Sequence, residues 1–338
     1  MINMPGVIVS ADWGSSANKR WMVKAARLGD GPYLAGAPEP VGELSTLIER
    51  VAALGRENGS TGESSALIGF DFPIGLPSRY AELAGIDDFL SFLEVAGKGK
   101  WAHFFEVAET PDQIHLQRPF YPRYNWIGLP KAHAETPRQE ELLRGLQVTG
   151  IDDLRRRCEL RRADRRAAAP LFWTLGAQQA GKAAICGWQE VLQPALPRLA
   201  IWPFSGKLET LLETSSVTAV ETYPAEIYTH LGLDLWTRRG ACRSGKRVQE
   251  TRQAQAEKLF DWASRLRLEL HPSLQAAIQT GFGPSAYGED AFDATIGLFG
   301  MLHTLLSWSN HEPPLGPRLS SVEGWIFGSR MPETTAGD

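Results

Sequence analysis

The sequence predicts an α/β fold in which a mixed β-sheet is flanked by helices. The short run at 6–12 is apolar and rich in β-branched residues, and the run at 66–72 is likewise apolar, as buried central strands are. Two further strand patterns at 21–28 and 32–36 follow the first run, and a helical spacing of apolar residues spans 42–55. The predicted order over the first 72 residues is therefore β-β-β-α-β.

The pattern changes after the fifth element. Residues 78–197 combine helical pieces, scattered aromatic residues and a proline-rich stretch, which predicts a largely helical insertion on the sheet. Strand patterns return at 199–204 and 217–223. Long helices are expected at 246–268 and 289–308 from their apolar spacing.

The C-terminal part completes one domain. A closing strand or packed tail is expected at 320–328, and the polar residues 329–338 are expected to form a flexible tail. Residues 1–328 are thus interpreted as a single domain that carries the insertion at 78–197.

Composition restricts the classes of function. The 338 residues carry a net charge of −4, so no overall basic field draws the chain to nucleic acid, and any such contact needs a local basic patch. The three cysteines are scattered and odd in number, which predicts reduced thiols and a cytoplasmic location. The first residues lack the pattern of a signal peptide, and the apolar segment at 294–306 is too short to span a membrane, so no membrane partner is expected.

Acidic residues mark the ends of the predicted elements. Asp12 and Asp71 each end an apolar run, Glu221 lies in the run VTAVETYP, and Asp290 and Asp293 open the last long helix. Because strand ends converge at one edge of an open α/β sheet, we expect these carboxylates to meet there. Gathered carboxylates repel one another unless a cation holds them, and Mg²⁺ and Mn²⁺ prefer oxygen ligands.

Each acid also has a structural interpretation. Asp12 and Asp71 stand where turns begin, which Asp favours, and Asp290 stands near a helix N-terminus, where acids are stabilised. Glu221 lies in a β-branched run that disfavours Glu, so a functional or ion-paired role is expected for it. Asp293 lies among apolar and small residues, so it is expected to be buried and paired.

The last helix offers an internal check on the site. Positions 290, 293, 297, 300 and 304 share one stripe, which is Asp, Asp, Gly, Gly and Thr. Small residues let a helix backbone approach a sheet closely. We therefore expect this helix to bring the carboxylate of Asp293 within reach of Asp12.

Four short motifs carry a resemblance to a known family. GFDFPIGLP, VETYPAEIY, EDAFDA and EGWIFG, in this order, resemble the DUF429 family of predicted RNase H-like nucleases. The resemblance covers both ends of the chain but little of 78–197. It implies an RNase H-like (ribonuclease H/actin-like superfamily) fold and a metal-dependent nuclease activity. The implied acidic set is Asp12, Asp71, Glu221 and Asp293, with Asp290 as an additional member. The long insertion departs from the family pattern and leaves the substrate class open.

The chemistry of such a set can also be argued from the residues. Carboxylates can hold two cations roughly 3.5–4 Å apart, one activating a water and the other stabilising the leaving oxygen of a phosphodiester. Asp12 would bridge the cations from the central strand, and Asp71 and Asp293 would close the site. Glu221 would bind the second cation or orient the water. The expected cofactor is Mg²⁺ or Mn²⁺, and the expected substrate is DNA or RNA.

Basic residues are weaker candidates. Lys182, Lys246 and Arg252 are candidates for contacts to a substrate phosphate. The arginine-rich stretch at 152–166 suits phosphate contacts too, but its interspersed acids favour a solvated helix face.

Two other classes of function remain open. An actin-like phosphotransferase or ATPase shares the sheet, and WGSSANKR after the first strand could bind phosphate, but a second β-β-β-α-β unit and a Gly-rich adenosine loop are missing from the sequence. A non-catalytic binding module would use the same acids structurally. The sequence leaves open DNA against RNA, endo against exo cleavage, and the oligomeric state.

Overall fold

The computed structural model describes residues 2–58, 65–123, 138–163, 165–175, 180–235, 245–284, 287–308, 313 and 316–330. Its strands are β1 Val7–Asp12, β2 Trp21–Arg27, β3 Tyr33–Ala35, β4 Glu39–Pro40, β5 Ala66–Phe70, β6 Ala200–Ile201, β7 Val217–Glu221 and β8 Leu268–Leu270. Its α-helices are α1 Leu47–Glu57, α2 Ser78–Ala84, α3 Phe89–Val95, α4 Gln139–Gly145, α5 Ala180–Gly187, α6 Gln193–Ala195, α7 Leu208–Thr214, α8 Pro224–His230, α9 Gln249–Gln253, α10 Ala256–Arg265, α11 Pro272–Gln279 and α12 Tyr287–Leu306.

The strands form one mixed sheet in the order β6-β7-β5-β1-β2-β3-β8, with β4 on β2. β1, β2 and β3 are antiparallel neighbours, whereas β5, β7 and β6 continue from β1 in parallel. α1 packs on β1, β5 and β7, and α12 packs on β1 and β2. The predicted α/β class with a mixed sheet flanked by helices is confirmed.

The central strands are buried because their sequences are almost wholly apolar. Ile8 and Val9 of β1 and Leu67 and Ile68 of β5 have no exposed surface. A strand that is covered on both faces reads as a continuous apolar run, which is why these elements could be located from the sequence.

The chain divides into two compact units. The first comprises 1–72, 190–312 and 326–329, and it contains the whole sheet with α1 and α12. The second comprises 73–189, 313–325 and the chain from 330. The sequence predicts an insertion at 78–197. The main segment of the second unit starts five residues earlier and ends eight residues earlier, and the unit also takes in two later segments.

The second unit is built on helices and aromatic packing. It contains α2 to α5 and several single 3₁₀ turns. Phe104 lies at the centre of its aromatic cluster, with ring centroids 4.8 Å from Phe92, 5.5 Å from Phe120 and 6.2 Å from Trp188. The indole of Trp188 donates to the carbonyl of Pro73 at 2.7 Å, which satisfies its one polar group.

The arginine-rich stretch at 152–166 lies in this unit, and the solvated helix face predicted for it is not what the structure shows. Arg156, Arg162 and Arg165 are buried, so a solvated face is wrong for them. The guanidinium of Arg156 pairs with Glu159 at 2.7 Å and donates to the carbonyl of Ile74 at 2.9 Å. That of Arg165 donates to the carbonyl of Cys158 at 2.6 Å. The side chains of Arg156 and Arg165 therefore hydrogen-bond to backbone carbonyls of segments outside the α-helices and strands.

Two other predicted elements differ from the structure. The long helix expected at 246–268 is divided into α9 and α10, and β8 follows instead of a last helical turn. Of the two alternatives at 320–328, the strand is wrong, because Leu319–Glu323 forms a π-helical turn and Ile326 makes an isolated β-bridge with Glu221. The packed tail is confirmed, because Trp325, Ile326 and Phe327 are buried.

Two further expectations concern the C-terminal tail at 329–338 and the lack of a membrane-spanning segment. Ser329 is buried, and residues 331–338 lie outside the described residues. In the part of the chain that the structure describes, no helix is both long enough and apolar enough to cross a membrane.

Candidate functional site

Asp12 and Asp71 meet at the ends of two neighbouring parallel strands. β1 and β5 pair in parallel with Ala11 opposite Phe70, and the backbone N–H of Asp71 donates to the carbonyl of Ala11 at 3.0 Å. Asp12 and Asp71 therefore stand side by side, one residue further on. Their carboxyl groups hydrogen-bond to each other. Two carboxylates make such a contact only if a proton or a cation lies between them.

The face to which these carboxyls point is the face that α12 covers. Side chains alternate along a strand, so Ser10 and Asp12 share a face of β1. Gly297 of α12 lies against Ser10, because a Cβ on Gly297 would be 2.1 Å from Ser10 Oγ. The predicted close approach of the small-residue stripe to the sheet is confirmed at this position. Asp293, one turn earlier on α12, is thereby brought to the same edge.

Asp293 is buried, with both carboxylate oxygens engaged. Lys246 Nζ lies 2.5 Å from Asp293 Oδ2, and the hydroxyl of Tyr228 on α8 donates to Asp293 Oδ1. Lys246 Nζ also lies 3.0 Å from Glu289 Oε1. The prediction that Asp293 is buried and paired is confirmed. Tyr228 and Glu289 were not among the predicted site residues.

The pKa values show that the three carboxylates interact. Burial raises the pKa of Asp12 well above its usual value, and Asp293 and Asp71 raise it further. Burial, with help from Asp293, raises the pKa of Asp71 to about 7, against the opposing effect of Lys246. Burial also raises the pKa of Asp293, although Lys246 and the Tyr228 hydroxyl lower it. The three groups form one electrostatic cluster that resists full ionisation.

Glu221 stands beside this cluster in a different orientation. It ends β7 opposite Phe70 of β5, one residue out of step with Asp71. Regular alternation directs its side chain to the other face of the sheet from the Asp71 side chain. Glu221 is buried, and its charge contributes to the raised pKa of Asp71. The structure thus brings Glu221 close enough to Asp71 for its charge to act on that carboxyl.

Asp290 lies at the rim of the same site. It stands in the first turn of α12, and its Oδ2 is buried with no hydrogen-bond partner among the described residues. Burial raises the pKa of Asp290 to about 6, against a lowering by Lys19. An unsatisfied carboxylate oxygen is compatible with an additional ligand at this position, as the sequence predicts.

The three basic candidates have different surroundings. Lys246 lies in the cluster, whereas Lys182 lies on α5 in the second unit. Arg252 is buried, and its guanidinium donates to the carbonyls of Lys246 at 2.6 Å, Gly281 at 2.9 Å and Gly283 at 2.8 Å. The structure therefore gives Arg252 a positioning role, which fixes the backbone that carries Lys246.

The loop after β1 is closed by Arg20. Its guanidinium donates to the carbonyl of Gly14 at 2.9 Å and pairs with Glu190 at 2.6 Å. It also stacks on Trp13, with the guanidinium carbon 4.8 Å from the ring centroid. Arg20 therefore fixes the conformation of the loop that follows β1.

The donor set fits a hard divalent cation. Asp12, Asp71 and Asp293 offer only oxygen ligands, and a cation would relieve both the Asp12–Asp71 contact and the raised pKa values. Among the residues that the structure describes, however, no group of three or more His, Cys, Asp or Glu side chains is arranged so that it could hold a metal ion. Two carboxyls contact each other, and the third is held by Lys246 and Tyr228.

Comparisons with known proteins add no relative. No family model matches the chain, and no match was found among curated proteins or solved structures. The resemblance to the DUF429 family therefore stays a prediction.

Glu289 and Tyr228, which were not predicted as site residues, differ in how strongly the sequence indicates them. Glu289 lies four residues before Asp293 on α12, so helical spacing alone could have included it. Tyr228 is separated from Asp293 by 65 residues. It is the last residue of the motif VETYPAEIY, but no helical or strand spacing in the sequence indicates its contact with Asp293.

Proposed function

We propose that this protein is a divalent-metal-dependent phosphodiester hydrolase that acts on nucleic acid. The observation that carries the proposal is an electrostatic cluster of three carboxyls. Asp12 and Asp71 lie at the carboxyl ends of two parallel strands, and Asp293 joins them from α12. Open α/β sheets bind ligands at this edge. The cluster supplies the oxygen ligands that Mg²⁺ and Mn²⁺ prefer.

Each residue has a defined task in this proposal. Asp12 and Asp71 hold the cation from the sheet, and Asp293 completes the set from α12. Tyr228 orients Asp293 through its hydroxyl. Glu221 and Asp290 add negative charge at the two sides of the cluster, and either could take part in a second cation position. The bound cation would supply an activated water and stabilise charge on the phosphate.

We also propose that the fold is RNase H-like. Support comes from the order of elements in the first unit, where the antiparallel neighbours β1, β2 and β3 are followed by the two-residue strand β4, by α1 and by the parallel strand β5. Apart from β4, this is the β-β-β-α-β order with which such a sheet begins.

An anionic substrate is supported by the cations at the site. Lys246 lies within it, and the exposed side chain of Arg247 contacts Glu289 at 3.4 Å. Lys19 is exposed and close enough to lower the pKa of Asp290. In a chain of net charge −4, these three basic side chains beside the acidic cluster are the candidates for contacts to a substrate phosphate.

The test is a calorimetric titration of Mn²⁺ into the wild-type chain and the Asp12→Asn variant. We expect saturable binding in wild type and its loss in the variant, because Asn removes the charge while keeping the shape. Asp261→Asn is the matched control, since Asp261 is exposed on α10 away from the site. Cleavage of labelled single-stranded and double-stranded DNA and RNA follows, with Mg²⁺ and with Mn²⁺.

The outcomes separate the classes of function. Binding that is lost only in Asp12→Asn, together with cleavage of one nucleic acid, supports the proposal. Substrate phosphate can complete the coordination of a weak Mg²⁺-type site, so the titration is repeated with a non-hydrolysable phosphodiester analogue. No Mn²⁺ binding even then would overturn the proposal in favour of a non-catalytic binding module.

A further inference from the structure

Lys246 stands where its charge competes directly with that of a metal ion. Its Nζ lies 2.5 Å from Asp293 Oδ2 and 3.0 Å from Glu289 Oε1, and its side chain is 29% exposed, against 4% for Asp293. We propose that Lys246 is an internal counter-ion which the divalent cation must displace from Asp293. This inference rests on the proposed function and adds a residue that sets metal affinity.

The contacts of Asp293 explain why competition follows. One carboxylate oxygen accepts from Tyr228 and the other from Lys246. A cation that binds Asp293 through Oδ2 must take the place of the ammonium group, because two positive charges repel strongly in a buried site. Tyr228 is neutral and can keep its hydrogen bond while this exchange takes place.

The surrounding backbone restricts the exchange to the lysine side chain. The carbonyl of Lys246 accepts from Arg252 at 2.6 Å, and Arg252 also donates to the carbonyls of Gly281 and Gly283. The main chain is therefore fixed, whereas the four-carbon stem of a lysine has many rotamers. Lys246 can leave Asp293 without rearrangement of the turn Gly245–Arg247.

The displaced ammonium group keeps a partner. Glu289 remains 3.0 Å from its starting position and is itself partly exposed, so the released Lys246 stays at the rim of the site. There it is available to a substrate phosphate. Metal binding and substrate binding are thereby coupled, because each favours the same displaced position of one side chain.

The experiment compares Mn²⁺ affinity in full-length wild type, Lys246→Met and Lys246→Arg by calorimetry, without substrate. We expect Lys246→Met to bind Mn²⁺ about tenfold more tightly or better, since no ion pair has to be broken. Lys246→Arg keeps the competing charge and should stay close to wild type. Lys24→Met is the matched control, because Lys24 is similarly exposed and pairs with Glu39 at 2.7 Å outside the site.

The outcomes distinguish this inference from the proposed function. Equal or weaker Mn²⁺ affinity in Lys246→Met, with clear binding in wild type, overturns the counter-ion role and leaves the metal site standing. Binding in Lys246→Met but not in wild type supports the inference, whereas no binding in any variant overturns both. Lys246→Gln replaces the Met variant if thermal melting shows that the latter is unfolded.

Discussion

Gly297 of α12 lies so close to Ser10 of β1 that a Cβ on the glycine would stand 2.1 Å from Ser10 Oγ. The contact sets the distance between the last helix and the central strand. It therefore also sets the distance between Asp293 and the carboxyls at the ends of β1 and β5.

Gly297→Ala should weaken both stability and metal binding. The added methyl group must push α12 away from β1, and overpacking of this kind costs about 1–3 kcal/mol of unfolding free energy. We expect a correspondingly lower urea midpoint and weaker Mn²⁺ binding, because Asp293 moves with the helix.

Gly36→Ala provides the control for this substitution. A Cβ on Gly36 meets no atom within 4 Å, so its unfolding free energy should change little. An unchanged urea midpoint in Gly297→Ala would contradict the close approach of α12 to β1.

Tyr228→Phe tests the hydroxyl that orients Asp293. Without this donor, Asp293 Oδ1 is left buried with one hydrogen bond fewer, and outer-shell losses of this kind lower metal affinity by about 10- to 100-fold. The measurement is Mn²⁺ titration by calorimetry.

Tyr80→Phe is the matched control for the tyrosine variant. Tyr80 is also a buried tyrosine whose hydroxyl is bonded, to the carbonyl of Leu116, but it lies in the second unit. Both variants should lose about 1 kcal/mol of stability for the missing hydrogen bond. A fall in Mn²⁺ affinity of equal size in both would count against a role of Tyr228 in the site.

The strands and the last helix could be predicted because their signals are local. β1, β5 and β7 are short apolar runs, and the small stripe of α12 can be read at helical spacing. The convergence of Asp12 and Asp71 then follows from the parallel pairing of their strands. Asp293 follows from the stripe.

Other features depend on contacts between distant residues. The helix expected at 246–268 is interrupted near Gln255, whose side-chain amide donates to the backbone carbonyl of Asp234 and accepts from its N–H. Arg267 then takes a positive φ of 50°, which ends α10. The apolar spacing of residues 246–268 indicates neither the Gln255–Asp234 hydrogen bonds nor the backbone angle of Arg267. The pairing of Lys246 with Asp293, across 47 residues, was equally hidden.

The pKa of Asp71 predicts how stability depends on pH in the presence of a chelator. Its folded value of about 7 exceeds the usual 3.8, so the folded state binds this proton more tightly than the unfolded state does. The contribution of Asp71 to stability is therefore fully present below about pH 4 and is lost as the pH rises to about 7. Asp12 and Asp293 shift in the same direction.

Urea unfolding between pH 5 and pH 8 measures this dependence. We expect Asp71→Asn to lose less stability over the interval than wild type, because Asn cannot ionise. Asp261→Asn should follow the wild-type curve. Identical pH dependence of the unfolding free energy in wild type and Asp71→Asn would contradict a raised pKa of Asp71 in the folded state.

The buried ion pair of the second unit gives the last prediction. Arg156 has no exposed surface, and its guanidinium is 2.7 Å from Glu159, which is equally enclosed. Arg156→Met would leave the Glu159 carboxylate buried without its partner, which costs about 3–5 kcal/mol. Arg79→Met is the comparison, because the Arg79–Glu82 pair is exposed on α2 and is worth at most about 1 kcal/mol. Urea unfolding at pH 7 measures both losses.

If Glu159→Gln is added to Arg156→Met, part of the lost stability should return, because the uncompensated charge is gone. Equal, small losses in the two single variants would contradict an enclosed ion pair.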